Sequence, residues 1–190
     1  MIVDVAKKVI RLKVVYYGPS MSGKTTNLET FSALNGLKLM KIDTKGDRTL
    51  VFDFFTKTVQ VGDMTASFAL YAIPGQEIYK DMRVTVLKGV DGVVFVADAQ
   101  EHRLGKNVEF FNLLKEDLLK VGRRYEEVPV VIQYNKMDLP NALPFEVLEE
   151  KINKDRLPSV CAIAIKGEGV TETFSLLEGF LLSKLERMIG

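Results

Sequence analysis

Two rhythms of apolar residues alternate along this chain. Nearly unbroken apolar or β-branched runs at Ile10 to Tyr17, Leu50 to Val61, Thr65 to Ile73, Gly92 to Ala97, Pro129 to Tyr134 and Ser159 to Ile165 read as strands. Between and after them, Thr26 to Leu34, Gln76 to Lys88, Leu104 to Val121, Pro144 to Ile152 and Val170 to Met188 repeat their apolar residues at helical spacing. Strands that alternate with helices predict an α/β fold: a mostly parallel six-stranded sheet with helices on both faces. Gly62-Asp63 joins two strand-like runs by a short turn, so Leu50 to Val61 is expected as the one antiparallel edge strand. Leu37 to Arg48 is mixed and charged and reads as a mobile connection. No internal repeat or linker divides the 190 residues, which are enough for one well-buried domain.

Composition narrows the picture mainly by exclusion. With 26 basic against 25 acidic side chains the net charge is +1, which gives no global attraction to nucleic acid or to an anionic membrane. No apolar run approaches the roughly 18 residues of a spanning helix, and no signal-peptide core is present, so a soluble, cytoplasmic protein is expected. Ile2 follows Met1 and the last four residues hold no cysteine, so no membrane anchor is expected. The one cysteine, Cys161, lies in an apolar run and reads as a small core residue. The one histidine, His102, has polar neighbours and is expected in an exposed loop or at a helix start.

The chemistry begins at Gly18 to Thr25, whose sequence GPSMSGKT matches GxxxxGK[ST] between a strand and a helix. In that setting Gly18 and Gly23 allow a tight backbone path, successive amide N–H groups face phosphate oxygens, and Lys24 brings positive charge to the outer phosphates. Thr25 would place its hydroxyl on a bound Mg²⁺. After the strand ending at Tyr134 comes Asn135-Lys136-Met137-Asp138, an NKxD run. The Asp138 carboxylate can accept from the N1–H and the exocyclic amine of guanine, neither of which adenine offers there. Lys136 can lay its stem along the base, and Asn135 can tie this loop to the phosphate loop.

Gly18 to Thr25, Thr49, Pro74-Gly75-Gln76 and Asn135 to Asp138 occur in the order and spacing of the Ras-like small GTPases, and the resemblance covers essentially the whole chain. Within that superfamily, Pro74-Gly75-Gln76 in place of DxxGQ, Arg48 beside Thr49, and Val93 to Asp98 are most similar to the bacterial MglA-like GTPases. The resemblance implies a single P-loop G domain over 1-190. It implies GTP/GDP as ligand, held by Gly18, Ser20, Ser22, Gly23, Lys24, Thr25, Thr26, Gly75, Asn135, Lys136, Asp138, Ala164 and Ile165. Ala164-Ile165-Lys166 takes the place of the SAK loop, with the Ala164 N–H reaching the guanine O6. Gln76 would orient the attacking water and Gly75 sense the γ-phosphate, with Lys24 on the phosphates. Thr25 and the switch residue Thr49 would ligate Mg²⁺.

Two departures bear on the expected chemistry. Where the family carries a magnesium-linked aspartate, this chain has Ala72; Asp53, a charge inside an apolar run, either replaces it or faces water from an edge strand. Arg48 is either a solvated loop residue or an arginine finger supplied in cis. Ser20 stands where many members have glycine, which implies slow unaided hydrolysis. The resemblance further implies a roadblock-type (MglB-like) activating homodimer, effectors of polarity or motility, and recruitment by partners to a cell pole. A nucleotide-locked binding module without significant turnover remains the alternative, favoured by Ala72 and Ser20. An ATP-dependent kinase or transport ATPase would leave Asp138 unexplained.

Overall fold

In a computed structural model that describes residues 1–38, 40–43, 51–73 and 80–189, the chain forms eight strands and five α-helices. The strands are β1 (Ile2–Asp4), β2 (Val9–Tyr17), β3 (Met40–Asp43), β4 (Val51–Val61), β5 (Met64–Ala72), β6 (Gly92–Asp98), β7 (Val130–Asn135) and β8 (Ser159–Ala162). The helices are α1 (Lys24–Leu34), α2 (Lys80–Leu87), α3 (Leu104–Lys120), α4 (Phe145–Ile152) and α5 (Val170–Ile189). They build one mixed sheet in the order β3-β4-β5-β2-β6-β7-β8, with β1 antiparallel to the start of β2. From β5 through β2, β6 and β7 to β8 every pairing is parallel, whereas β3, β4 and β5 are antiparallel neighbours. The α/β class and the antiparallel β4 follow the sequence reading. The strand count is eight rather than six, because β1 and β3 are short, partly charged segments whose partners, rather than their own pattern, make them strands. Met40–Asp43, expected within a mobile connection, is thereby a strand. β3 also displaces β4 from the edge.

Alternation along β2 divides the core. Val14 and Tyr16 enter a cluster on one face with Leu28, Phe31, Phe68 and Phe174, while Val15 and Tyr17 enter another with Phe95, Phe110, Phe111 and Leu148. Thus α1 and α5 cover the first face and α2, α3 and α4 the second. Phe174 is fully buried, with ring centroids 5.0 Å from Phe31 and 5.7 Å from Phe68. Burial of such a side chain contributes about 1.5–3 kcal/mol. All seven residues of β6 are buried, as expected of a central parallel strand.

Two single residues separate the expectations. His102 is exposed in the short 3₁₀ turn Glu101–Arg103 just before α3, as its neighbours predict. Cys161 is exposed, not core. Its strand is the outermost at that side of the sheet, so an apolar run there lacks a further strand to cover it. Among the described residues, no helix is long and apolar enough to cross a membrane.

Candidate functional site

The carboxyl ends of β2, β6, β7 and β8 open on one rim of the sheet, the position at which open parallel sheets hold ligands. Where β2 ends at Tyr17, the chain turns through Gly18 with φ +145°. A Cβ there would come within 2.2 Å of the Val96 carbonyl oxygen. At the other end of the loop Gly23, with φ +101°, precedes α1, and a Cβ would meet Asn135 Nδ2 at 2.2 Å. Both motif glycines are therefore fixed by close approach as well as by backbone conformation. The loop delivers the amino terminus of an 11-residue helix to the cavity, with its unpaired N–H groups and positive dipole end.

Lys24 is only 6% exposed. Its ammonium donates to the carbonyls of Gly18 at 2.9 Å and Pro19 at 2.6 Å, curling back over its own loop. Burial, and then the nearby Arg103 guanidinium, push its pKa down to about 7. An anion bound in the loop would reverse that balance.

The second loop is joined to the first by one side chain. Asn135, at the end of β7 and 3% exposed, donates from Nδ2 to the Ser22 carbonyl at 2.9 Å. Its Oδ1 accepts from the Ala164 N–H at 2.9 Å, tying in the third loop as well. The tie expected of Asn135 is present. The Ala164 N–H, expected to reach the guanine O6, donates to Asn135 here, and the next residue, Ile165, also lines the cavity. Asp138 is met by Lys166 Nζ at 3.1 Å, and Lys136, with φ +68°, bonds Asp98 Oδ2 at 2.7 Å.

Ser20, Gly23, Lys24, Thr25, Thr26, Asn135, Lys136, Asp138, Ala164 and Ile165 all line one cavity of about 610 Å³. Gly18 and the fully buried Ser22 belong to the same loop but do not line the cavity. Arg48, Thr49, Gly75 and Gln76 lie outside the described residues. For Asp53 the backbone is described and the side chain is not: it pairs across β4 and β5 with Ala72, and on its other side with Lys41. The premise that Asp53 sits on an edge strand is thus overturned, since β4 lies between two strands. Its register opposite Ala72 puts a carboxylate-bearing residue beside the very position that lacks one. Met21, inside the phosphate-loop motif, also lines the cavity, and the ion pairs of Lys166 with Asp138 and of Asp98 with Arg103 were not anticipated from the sequence. The one sequence signal for Asp98 is an acid ending an otherwise apolar strand.

The sequence profile of the ADP-ribosylation factor family matches residues 2–181. Among curated relatives, the mutual gliding-motility protein MglA of Myxococcus xanthus (strain DK1622) is 39% identical over 191 aligned positions, spanning 97% of each chain. ADP-ribosylation factor-like protein 4D of Homo sapiens is 27% identical, covering 94% of this chain and 83% of its own. Ras-related protein Rab-7a of Dictyostelium discoideum is 29% identical, covering 71% of this chain and 63% of its own. A family profile that spans nearly the whole chain, around a cavity built from its two nucleotide-loop motifs, makes this protein a member of the ADP-ribosylation factor family of Ras-like small GTPases.

Proposed function

We propose that the protein is a guanine-nucleotide switch that binds GTP and GDP with Mg²⁺ and hydrolyses GTP to GDP and phosphate. The observation that carries this reading is the direct bond from Asn135 to the phosphate loop, which joins the loop of Asp138 to it around one cavity. Phosphates then lie on the amides around Ser20 to Thr25 beside Lys24, and the base lies along the Lys136 stem with Asp138 on its N1 edge. The guanine O6 falls to the Ile165 N–H, and Lys166 pairs with one oxygen of Asp138.

The donor set suits a magnesium ion. Thr25 presents an exposed hydroxyl on the cavity wall next to Lys24, and among the described residues no cluster of three carboxylate, imidazole or thiol side chains competes as a metal cage. Such a site leaves the ion largely to phosphates and water, which is how Mg²⁺ is usually held. Thr25 and Thr49 would hold it, and Asp53 would supply the carboxylate absent at Ala72, a role its register supports. The ion neutralises charge on the outer phosphates. Gln76 positions the water, Gly75 reports the γ-phosphate, and Arg48 adds positive charge to the phosphates; these three roles, with that of Thr49, rest on the family resemblance.

Turnover is slow until a partner orders the segments around Thr49 and Gln76, and that partner is a roadblock-type homodimer. The full-length likeness to a mutual gliding-motility protein supports a role in bacterial motility or polarity, exerted in the cytoplasm or at a pole. The nucleotide-locked module stays as the second reading because Ala72 removes a magnesium-linked carboxylate; phosphate release below background with the activator present would favour it. The decisive test is base choice. Wild-type protein should bind GDP more tightly than ADP by a factor on the order of 10⁴. Asp138→Asn should move the preference toward xanthosine diphosphate, whose C2 carbonyl accepts from an amide. Equal binding of GDP and ADP by folded wild type overturns the reading.

A further inference from the structure

Arg103 lies in the 3₁₀ turn between β6 and α3, outside both nucleotide-loop motifs. Its Nη2 donates to the carbonyl of Ser20, in the middle of the phosphate loop. Its Nε stands 3.9 Å from Asp98 Oδ2. Asp98 is 1% exposed, and its carboxylate also accepts from Lys136 Nζ at 2.7 Å and from the Gln100 backbone N–H at 3.1 Å. The guanidinium thus lies within ion-pair distance of a buried carboxylate, with its Nε making no hydrogen bond among the described residues, and its hydrogen bond goes to one peptide of the loop.

That peptide is the informative one. A trans peptide points its C=O and N–H in opposite directions, and no peptide described in this chain is cis. A Ser20 oxygen held by Arg103 therefore points the Met21 N–H away from Arg103, and Ser20 and Met21 both line the cavity, which Arg103 does not. Met21 has φ +61°, a left-handed conformation that is unfavourable for any residue with a Cβ. Its side chain is 82% exposed and supplies no packing to offset this. Arg103 holds the carbonyl of the residue just before it from outside the loop. Asn135 treats the Ser22 carbonyl in the same way from the other side. Two carbonyls drawn back leave alternate amides directed forward.

We infer that Arg103 is a positioning residue of the phosphate loop: by binding the Ser20 carbonyl it aims the Met21 N–H at the phosphates of a bound guanine nucleotide. Asp98 joins this hold to Lys136 in the base-contacting loop. The inference rests on the guanine-nucleotide reading above, and its test is separable from that reading.

Three changes are compared with wild type for binding of GDP and of IDP, which lacks the exocyclic amine read by Asp138. Arg103→Met keeps the stem and removes the donors; Arg103→Lys restores one donor and the charge; Met21→Gly removes the cost of the left-handed conformation. Arg103→Met should weaken GDP and IDP by the same factor of about tenfold, the scale set by that conformational cost. Arg103→Lys should recover part of the loss. In the Met21→Gly background the Arg103→Met loss should shrink to less than about threefold, a non-additivity that a general weakening of the fold would not give. Where Arg103→Met folds poorly, Arg103→Gln, with a neutral donor, takes its place with an intermediate loss. GDP affinity within twofold of wild type, an equal loss in both Met21 backgrounds, or a changed GDP-to-IDP ratio each overturns the role. Wild-type binding without base preference would instead sink the reading beneath it.

Discussion

The two faces of the sheet carry polar networks of opposite character. On the α1 and α5 side, Gln133 of β7 donates to Asn27 Oδ1 at 2.9 Å and to Thr173 Oγ1 at 2.8 Å, and Asn27 returns a bond to Gln133 and another to the Gly23 carbonyl. Every member is neutral and buried. On the α2 and α3 side, the fully buried Asp117 accepts from the Tyr17 hydroxyl at 2.9 Å, from Arg83 Nε at 3.3 Å and from Lys120 Nζ at 2.7 Å. Burial and the neighbouring Asp117 drive the Tyr17 pKa far up, so the phenol stays a donor. The neutral network ties the phosphate loop to β7 and α5, while the ionic one ties α2 to α3 and to the last residue before the loop. A neutral network constrains without storing much electrostatic energy. An ionic network of this depth depends on its carboxylate being satisfied, because an uncompensated charge in the core is costly.

Removing Asp117 should therefore have the largest effect. Asp117→Ala leaves Arg83, 3% exposed, without that carboxylate and should lower unfolding free energy by about 3–5 kcal/mol, read from denaturant midpoints. Gln133→Leu is the matching test on the neutral side. It strands the Asn27 and Thr173 bonds and should cost about 1–3 kcal/mol, with little dependence on salt. If the two losses prove equal, the distinction between the faces is wrong.

Per pH unit, the smallest effect concerns Lys24, in the phosphate loop. Its pKa near 7 lies below the ordinary lysine value, so the folded protein holds fewer protons there than the unfolded chain. That group's contribution to stability accordingly rises with pH between about 7 and 10.5. Phosphates restore the ammonium, so nucleotide binding takes up a proton above pH 7. GDP affinity should weaken by up to about 1.4 kcal/mol per pH unit between pH 7 and 9. Calorimetry in buffers of different ionisation enthalpy would show the uptake, and binding without proton linkage at pH 8 would remove the argument.

Much of this molecule was legible from periodicity alone. The spacing expected over Leu104 to Val121 and Pro144 to Ile152 meets α3 and α4 to within one residue at each end. The phosphate and base loops were legible because their constraints are local: glycines at close approach, a lysine, an acid at fixed distance. What escaped depended on distant partners. Met40–Asp43 carries too much charge to declare itself a strand before β4 pairs with it. The order of amides in Ala164 to Lys166 is set by which N–H Asn135 takes, 29 residues away in sequence. Arg103 acts on a backbone carbonyl, and a carbonyl has no residue type by which to be noticed.

One exposed thiol offers a practical handle. Cys161 is the only cysteine of the chain and pairs across the sheet with Tyr134, the residue before Asn135. Partial burial, with Glu149 and Glu146 nearby, raises its pKa, so alkylation is favoured in mildly alkaline buffer. A fluorophore attached there labels every molecule at a single point beside the base-contacting rim, and its emission can follow loading and release in real time without further engineering.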